Sequence, residues 1–168
     1  KSTICNLDRV RFCTADAFDF VPSDSMIWTS IRSTNLRRQT RNFLWKAMHE
    51  GFHIGQFWDH VQHLEHLGLC SQCRLPKTME HILLECTLPA QQIIWKLTKD
   101  LWKIRFNGWP TPNLGLLLGC ALTKFKTPRG SQNHSKNRFF TIIVSTSMYL
   151  ICVMRVGSAA SWEWEGTR

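Results

Sequence analysis

Cys70, Cys73, His81 and Cys86 fall in the pattern C-x2-C-x7-H-x4-C, which gathers four soft or borderline ligands into seventeen residues. Zn²⁺ favours tetrahedral thiolate and imidazole ligation, and three cysteines with one histidine form one of its usual structural sets. The close pair lets a tight turn present two sulfurs, and the later His and Cys close the site from a second segment. Four protein ligands leave no open position for an activated water, so the expected ion is structural, not catalytic. The spacing also constrains the local fold. His81 and Cys86 stand about 140° apart on a regular α-helix, so they reach one ion only if the helix ends or unwinds near Cys86. Thr87-Leu88-Pro89 supplies that break, and Thr78 is a suitable N-cap for the turn carrying His81.

Helical periodicity dominates elsewhere. Pro22-Ser23-Asp24 starts a helix carrying Ile27, Trp28 and Ile31. A second helix is expected over 36–50, with Phe43, Leu44, Ala47 and Met48 inward, Arg37, Arg38 and Arg41 outward, and Gly51 as its C-cap glycine. A short helix over 54–61 would carry Phe57 and Trp58. Pro89 is placed to open the next helix at N1, with an inward stripe of Ile93, Ile94, Leu97, Leu101 and Trp102. A short apolar helix over 114–123 follows. A polar loop over 124–135 then leads to a final helix over 136–155, with Phe139, Phe140, Ile143, Tyr149, Leu150 and Ile151 as core candidates. The predicted fold class is mainly α, a small helical domain with an inserted Cys3His zinc knuckle. Its expected divisions are a linker or upstream-domain end (1–23), a helical zinc-binding domain (24–106), a C-terminal helical extension (107–155) and an irregular tail (156–168). The start at Lys1 suggests a fragment of a longer protein.

The 168 residues carry a net charge of +9, unevenly spread. Residues 25–49 contain no Asp or Glu but include Arg32, Arg37, Arg38, Arg41 and Lys46; residues 101–162 are likewise free of acids. A field of one sign favours a polyanionic partner, usually nucleic acid. Arg37, Arg38, Arg41 and Lys46 are the candidate phosphate contacts. Trp58 or Phe57 could stack on single-stranded bases, although core packing is the commoner fate of such residues. His60, His63 and His66 recur at three-residue spacing and read as surface or interface histidines, with a second metal site as the alternative.

Seven cysteines, three of them in the metal pattern, make an odd total; Cys5, Cys13, Cys120 and Cys152 are scattered singly and read as buried thiols. With no amino-terminal signal pattern, this suits a reducing, intracellular setting, nuclear or cytoplasmic. The longest apolar run, 141–154, is too short to span a bilayer and reads as a core helix, so no membrane partner is expected. Nucleophile elbows and phosphate-binding glycine loops are absent, and the six aspartates are well separated. A two-metal nuclease or polymerase centre needs gathered carboxylates, so the segment reads as non-enzymatic.

The run from Thr40 through Phe43, Trp45 and His49, then Cys70-x2-Cys73, Met79-Glu80-His81 to Cys86, and Ile94-Trp95, resembles the reverse-transcriptase zinc-binding domain of non-LTR retrotransposons. The resemblance covers about residues 28–102 and is nearest to copies from basidiomycete fungi. It implies that Cys70, Cys73, His81 and Cys86 hold zinc. It also implies a setting carboxy-terminal to polymerase and RNase H-like domains, and a role in positioning element RNA or target DNA during reverse transcription. The alternative is a zinc-stabilised protein-interaction or purely structural domain, including an inactive relic of such an element.

Overall fold

In the computed structural model, residues 2–156 are described; the irregular tail expected beyond them lies outside that range. The fold is mainly helical, with a Cys3His cluster inserted between its helices. Six α-helices follow in order: α1 (Ser2–Phe18), α2 (Asp24–Ile31), α3 (Arg38–Met48), α4 (Pro89–Lys103), α5 (Leu114–Leu118) and α6 (His134–Val156). Two 3₁₀ turns (Gly55–His60, Glu65–Gly68) and a π-helical turn (His81–Glu85) lie between α3 and α4. Among the described residues the only β pairing is two isolated bridges, Leu69 with Pro76 and Lys126 with Gln132.

Side-chain caps set several helix starts. Ser23 Oγ accepts from the Met26 N–H at 3.3 Å, Asn113 Oδ1 from Leu116 at 2.8 Å, and Asn133 Oδ1 from Lys136 at 2.9 Å. Each satisfies an N–H that the first turn would otherwise leave without a partner. The end of α3 differs from expectation. Gly51 N–H reaches back to Lys46 O at 2.8 Å and Glu50 N–H to Ala47 O at 3.2 Å, a Schellman arrangement. The left-handed residue is Glu50, with φ of 52°, while Gly51 stands one place further on.

One hydrophobic core joins Leu7 and Val10 of α1, Ile27 of α2, Phe43, Leu44 and Met48 of α3, Trp102 of α4, Leu116 to Leu118 of α5 and Phe140, Val144 and Met148 of α6. The 1–23 segment, expected to be a linker or the end of an upstream domain, holds a core helix. Its periodicity is weak because Asn6 and Thr14 share the buried face with Leu7 and Val10, while Ile4 and Phe12 are exposed. α1 packs so closely on α5 that a Cβ at Gly115 would collide with the Arg9 carbonyl oxygen. Residues on both sides of position 106 also share the core. Trp102, fully buried, meets Phe106, Trp109, Phe125 and Phe140 at ring-centroid distances of 5.0, 5.8, 5.3 and 5.6 Å.

The faces of α4 and α6 also depart from expectation. Of the expected α4 stripe, Trp102 is buried and Ile94 partly covered, but Ile93, Leu97 and Leu101 point to solvent, while Gln91 and Thr98 are buried and Trp95 is partly covered. Thr98 Oγ1 and Ser147 Oγ pair at 2.6 Å between α4 and α6, so the contact is polar at its centre. On α6, Leu150 is exposed, whereas Val144, Met148 and Cys152 join Phe140 and Ile151 in the core. The most apolar 18 residues within 134–155 have a mean hydropathy of 1.4, enough by length and composition to cross a bilayer. Here that apolar face packs on α3, α4, α5 and the π-turn.

Candidate metal centre

The four candidate ligands come from two pieces of backbone. The first is a tight hairpin. Lys77 N–H donates to Gly68 O and Cys70 N–H to Leu75 O, each at 2.8 Å, while Arg74, left-handed at φ 60°, donates to Cys70 O at 2.9 Å. This geometry brings Cys70 and Cys73 to one side of the turn. Its stem lies against the first 3₁₀ turn so closely that a Cβ at Gly68 would stand 2.7 Å from Gly55 O, which explains glycine there.

The second piece is the turn after Thr78, whose Oγ1 accepts the His81 N–H at 3.0 Å as expected of an N-cap. The chain then widens: Cys86 N–H donates to His81 O at 3.0 Å, a five-residue separation. In such a π-turn five residues complete little more than one revolution, against about one and two-fifths in an α-helix. His81 and Cys86 are thereby drawn toward one side without the helix first breaking. Cys86 itself is extended, with φ −67° and ψ 136°, and Pro89 opens α4 as its first helical residue. Trp95 fixes the π-turn from α4 by donating its indole N–H to Leu83 O at 2.6 Å.

These elements converge. One donor atom from each of Cys70, Cys73, His81 and Cys86 lies within 4.8 Å of every other. Cys70 Sγ and Cys86 Sγ are 3.7 Å apart, and Cys73 Sγ is 3.3 Å from His81 Nε2. Cys70, His81 and Cys86 are buried and Cys73 is half-buried. His81 directs Nε2 into the cluster, while its buried Nδ1 has no hydrogen-bond partner and lies 3.7 Å from a Glu85 carboxylate oxygen. Carboxylates in this position orient metal-binding imidazoles. The opposite side receives a cation from far along the chain: Arg155 of α6 donates from Nη2 to Cys70 Sγ at 3.2 Å.

This setting separates the two hairpin thiols. Burial, the largest influence on Cys70, pushes its thiol up. The Cys73 N–H, the His81 side chain, the Arg155 guanidinium and the Gln72 N–H outweigh it and hold the group at about 5. For Cys73 the Leu75 N–H pulls down, but burial and the neighbouring Cys70 and Cys86 leave it above the ordinary 9.0. The cluster thus holds one thiolate ready to accept a cation.

The other sequence candidates are dispersed. Among the described residues no second set of ligand atoms converges; His60 and His66 are exposed on the two 3₁₀ turns and His63 is exposed on the turn between them. Phe57 stacks on His53 at 4.0 Å and meets Trp58 edge-on at 5.2 Å, while Trp58 donates to His53 O at 2.8 Å. The pair forms a small satellite outside the main core. Of the scattered cysteines, Cys120 and Cys152 are buried as expected, but Cys5 is exposed and Cys13 half-buried. Arg37 and Arg38 are exposed at the start of α3, Arg41 donates Nε to Leu36 O at 3.0 Å, and Lys46 is half-buried on the same helix. Sequence reasoning missed Arg155 as a neighbour of the cluster and Trp45 as a surface aromatic. No protein-family model, curated protein or solved structure matches the chain.

Proposed function

We propose that the chain is a zinc-stabilised nucleic-acid-binding module of a non-LTR reverse-transcriptase polyprotein, one that positions RNA or target DNA and performs no chemistry itself. The convergence of four Cys3His donor atoms within 4.8 Å carries this reading. At Zn–S bonds of about 2.3 Å a tetrahedral ion spaces its sulfurs about 3.8 Å apart, and Cys70 and Cys86 stand at 3.7 Å. The ion would cross-link the hairpin to the π-turn. Glu85, 3.7 Å from His81 Nδ1, would orient the imidazole on closing that gap, and Arg155 offsets the negative charge that three thiolates place around a divalent cation. The resemblance supplies the retroelement setting, with upstream polymerase and RNase H-like domains as partners in the parent protein.

The nucleic-acid half of the reading rests on the acid-free stretch that includes α3. Arg37, Arg38, Arg41 and Lys46 are its phosphate contacts. Purified protein is expected to carry one zinc per chain by elemental analysis and to melt at lower temperature after strong chelation. Gel shifts with single-stranded RNA and duplex DNA are expected to weaken steeply between about 50 and 200 mM salt, as counterion release requires. Zinc-free protein with a chelator-insensitive melt would sink the metal reading. Absence of any complex at the lower salt would sink the nucleic-acid reading.

One observation favours a second reading, a protein-interaction domain. Ile93, Leu97, Leu101 and Ile104 form an exposed apolar stripe along α4, with exposures of 55, 56, 50 and 81 %. A stripe of that kind marks a docking surface more often than a solvated one.

A further inference from the structure

We propose that the cleft between α2 and α3 is a stacking subsite for an unpaired base of single-stranded nucleic acid, with Trp45 presenting its indole face and the surrounding arginines meeting the adjacent phosphates. This deepens the nucleic-acid reading above and rests on it. The cleft is a cavity of about 380 Å³ lined by Trp28, Ile31, Arg32, Trp45 and His49. Trp45 is 54 % exposed, unusual for an indole in a chain whose Trp102 is wholly buried.

The aromatic rings are pre-arranged. His49 stacks on Trp28 at 5.1 Å with an interplanar angle of 13°, and contacts Trp45 at 4.5 Å. The His49 ring is tied to α1 through Nδ1, 3.1 Å from Thr3 Oγ1. Aromatic surface fixed on helices gives up little freedom when a base stacks on it.

The charge around the cleft selects the occupant. Arg38, Arg41, Asn42, Trp45 and His49 fall within an arc of about 100° on α3, opposite the buried face of Phe43, Leu44 and Ala47. Arg32 lines the cleft from the end of α2. The nearest acid on α2, Asp24, is ion-paired with Arg11. Exposed Glu50 follows His49 at the end of α3, but the helix itself and α2 from Ser25 onward carry no acid. An aromatic platform beside Arg32, Arg38 and Arg41 suits a polymer of planar rings joined by phosphates. A duplex keeps its bases stacked on one another and offers no free face, so the subsite is expected to discriminate by strandedness.

The test uses fluorescence anisotropy with the zinc-loaded full chain. Its probes are a labelled oligouridine RNA and an oligothymidine DNA of about 12 nucleotides, and a duplex of the same length. Trp45→Ala is expected to weaken both single strands by about 5- to 100-fold, the span of one lost base–aromatic stack, with duplex affinity within about twofold. Trp45→Phe, which keeps an aromatic face and guards against a folding defect, is expected to retain most of the single-strand affinity. Arg38→Gln is expected to weaken all three probes and reduce the salt slope by about 0.7–0.9. Trp58→Ala, at the other aromatic candidate, is expected to change nothing. Unchanged single-strand affinity in Trp45→Ala, or an equal loss on the duplex, overturns the subsite while leaving the nucleic-acid reading intact. Failure of the unmodified protein to bind any probe at about 50 mM salt overturns that reading and the subsite together.

Discussion

Arg155 places a guanidinium 3.2 Å from Cys70 Sγ, the thiol held below its ordinary value, although 85 residues separate the two. In the metal-free protein it helps hold the thiolate; around a bound cation it offsets the excess charge of three thiolates. Removing that charge by Arg155→Gln is expected to lower metal affinity by about 10- to 100-fold, the usual effect of losing an outer-shell partner. Competition with a chromophoric chelator measures it. Affinity equal to that of the parent would reduce Arg155 to a packing residue of α6. At this scale the ligands were legible and their neighbours were not. The spacing of Cys70, Cys73, His81 and Cys86 is local, so sequence exposes it. The approach of Arg155 depends on where α6 ends relative to the hairpin, which no local pattern encodes. Trp45 shows the same limit. Helical spacing leaves it out of the inward set of α3, but nothing local marks it as a surface platform, and it stands on the polar arc beside Arg41.

Among the elements, α4 tests how a broad apolar stripe chooses its buried side. The helix carries more hydrophobic surface than one neighbour can cover. Trp95 and Trp102 decide the orientation because each has an indole N–H to satisfy, on Leu83 O and Gly108 O at 2.6 and 3.2 Å. Ile93, Leu97 and Leu101 are then left outside. Substituting Trp102→Ala is expected to destabilise the fold by about 3–5 kcal/mol, as truncating a buried aromatic does. Leu97→Lys is expected to change stability by less than about 0.5 kcal/mol. Denaturant unfolding compares the two; a large loss from Leu97→Lys would mean that this stripe is covered in solution. The existence of α2, α3, α4 and α6 was readable because caps and periodicity are local signals. The buried side of α4 was readable only in part: Trp102 and Ile94 face inward as expected, while Ile93, Leu97 and Leu101 lie outside the side on which the two indoles satisfy their N–H groups. The π-turn at 81–85 is an intermediate case: two ligands five residues apart demanded some departure from α geometry, and the wider turn, ending at Glu85 with Cys86 extended, meets that demand.

For the molecule as a whole, the π-turn that carries His81, α5 and α6 share one core, and two of its members are thiols outside the Cys3His cluster. Burial pushes Cys120 up to about 12, and burial, only partly opposed by the charge of Lys77, does the same for Cys152. In the unfolded chain both return to the ordinary value of 9.0. Above about pH 9 the unfolded state therefore binds fewer protons than the folded one, and stability must fall as pH rises, until the native thiols themselves ionise near 12. Each thiol adds a slope approaching 1.4 kcal/mol per pH unit, at about that magnitude, within this window. The contribution is absent below about pH 9, where both states are protonated at these positions. Replacing both by alanine introduces the same small packing loss at every pH, so the variant and parent differ in slope and not only in offset. Urea unfolding from about pH 8 to about 10.5 is expected to show a shallower alkaline decline for the Cys120→Ala, Cys152→Ala protein. Parallel curves would mean that the two thiols are not sealed in the native core, and would separate α6 from the shared packing that joins it to α5 and the candidate metal centre.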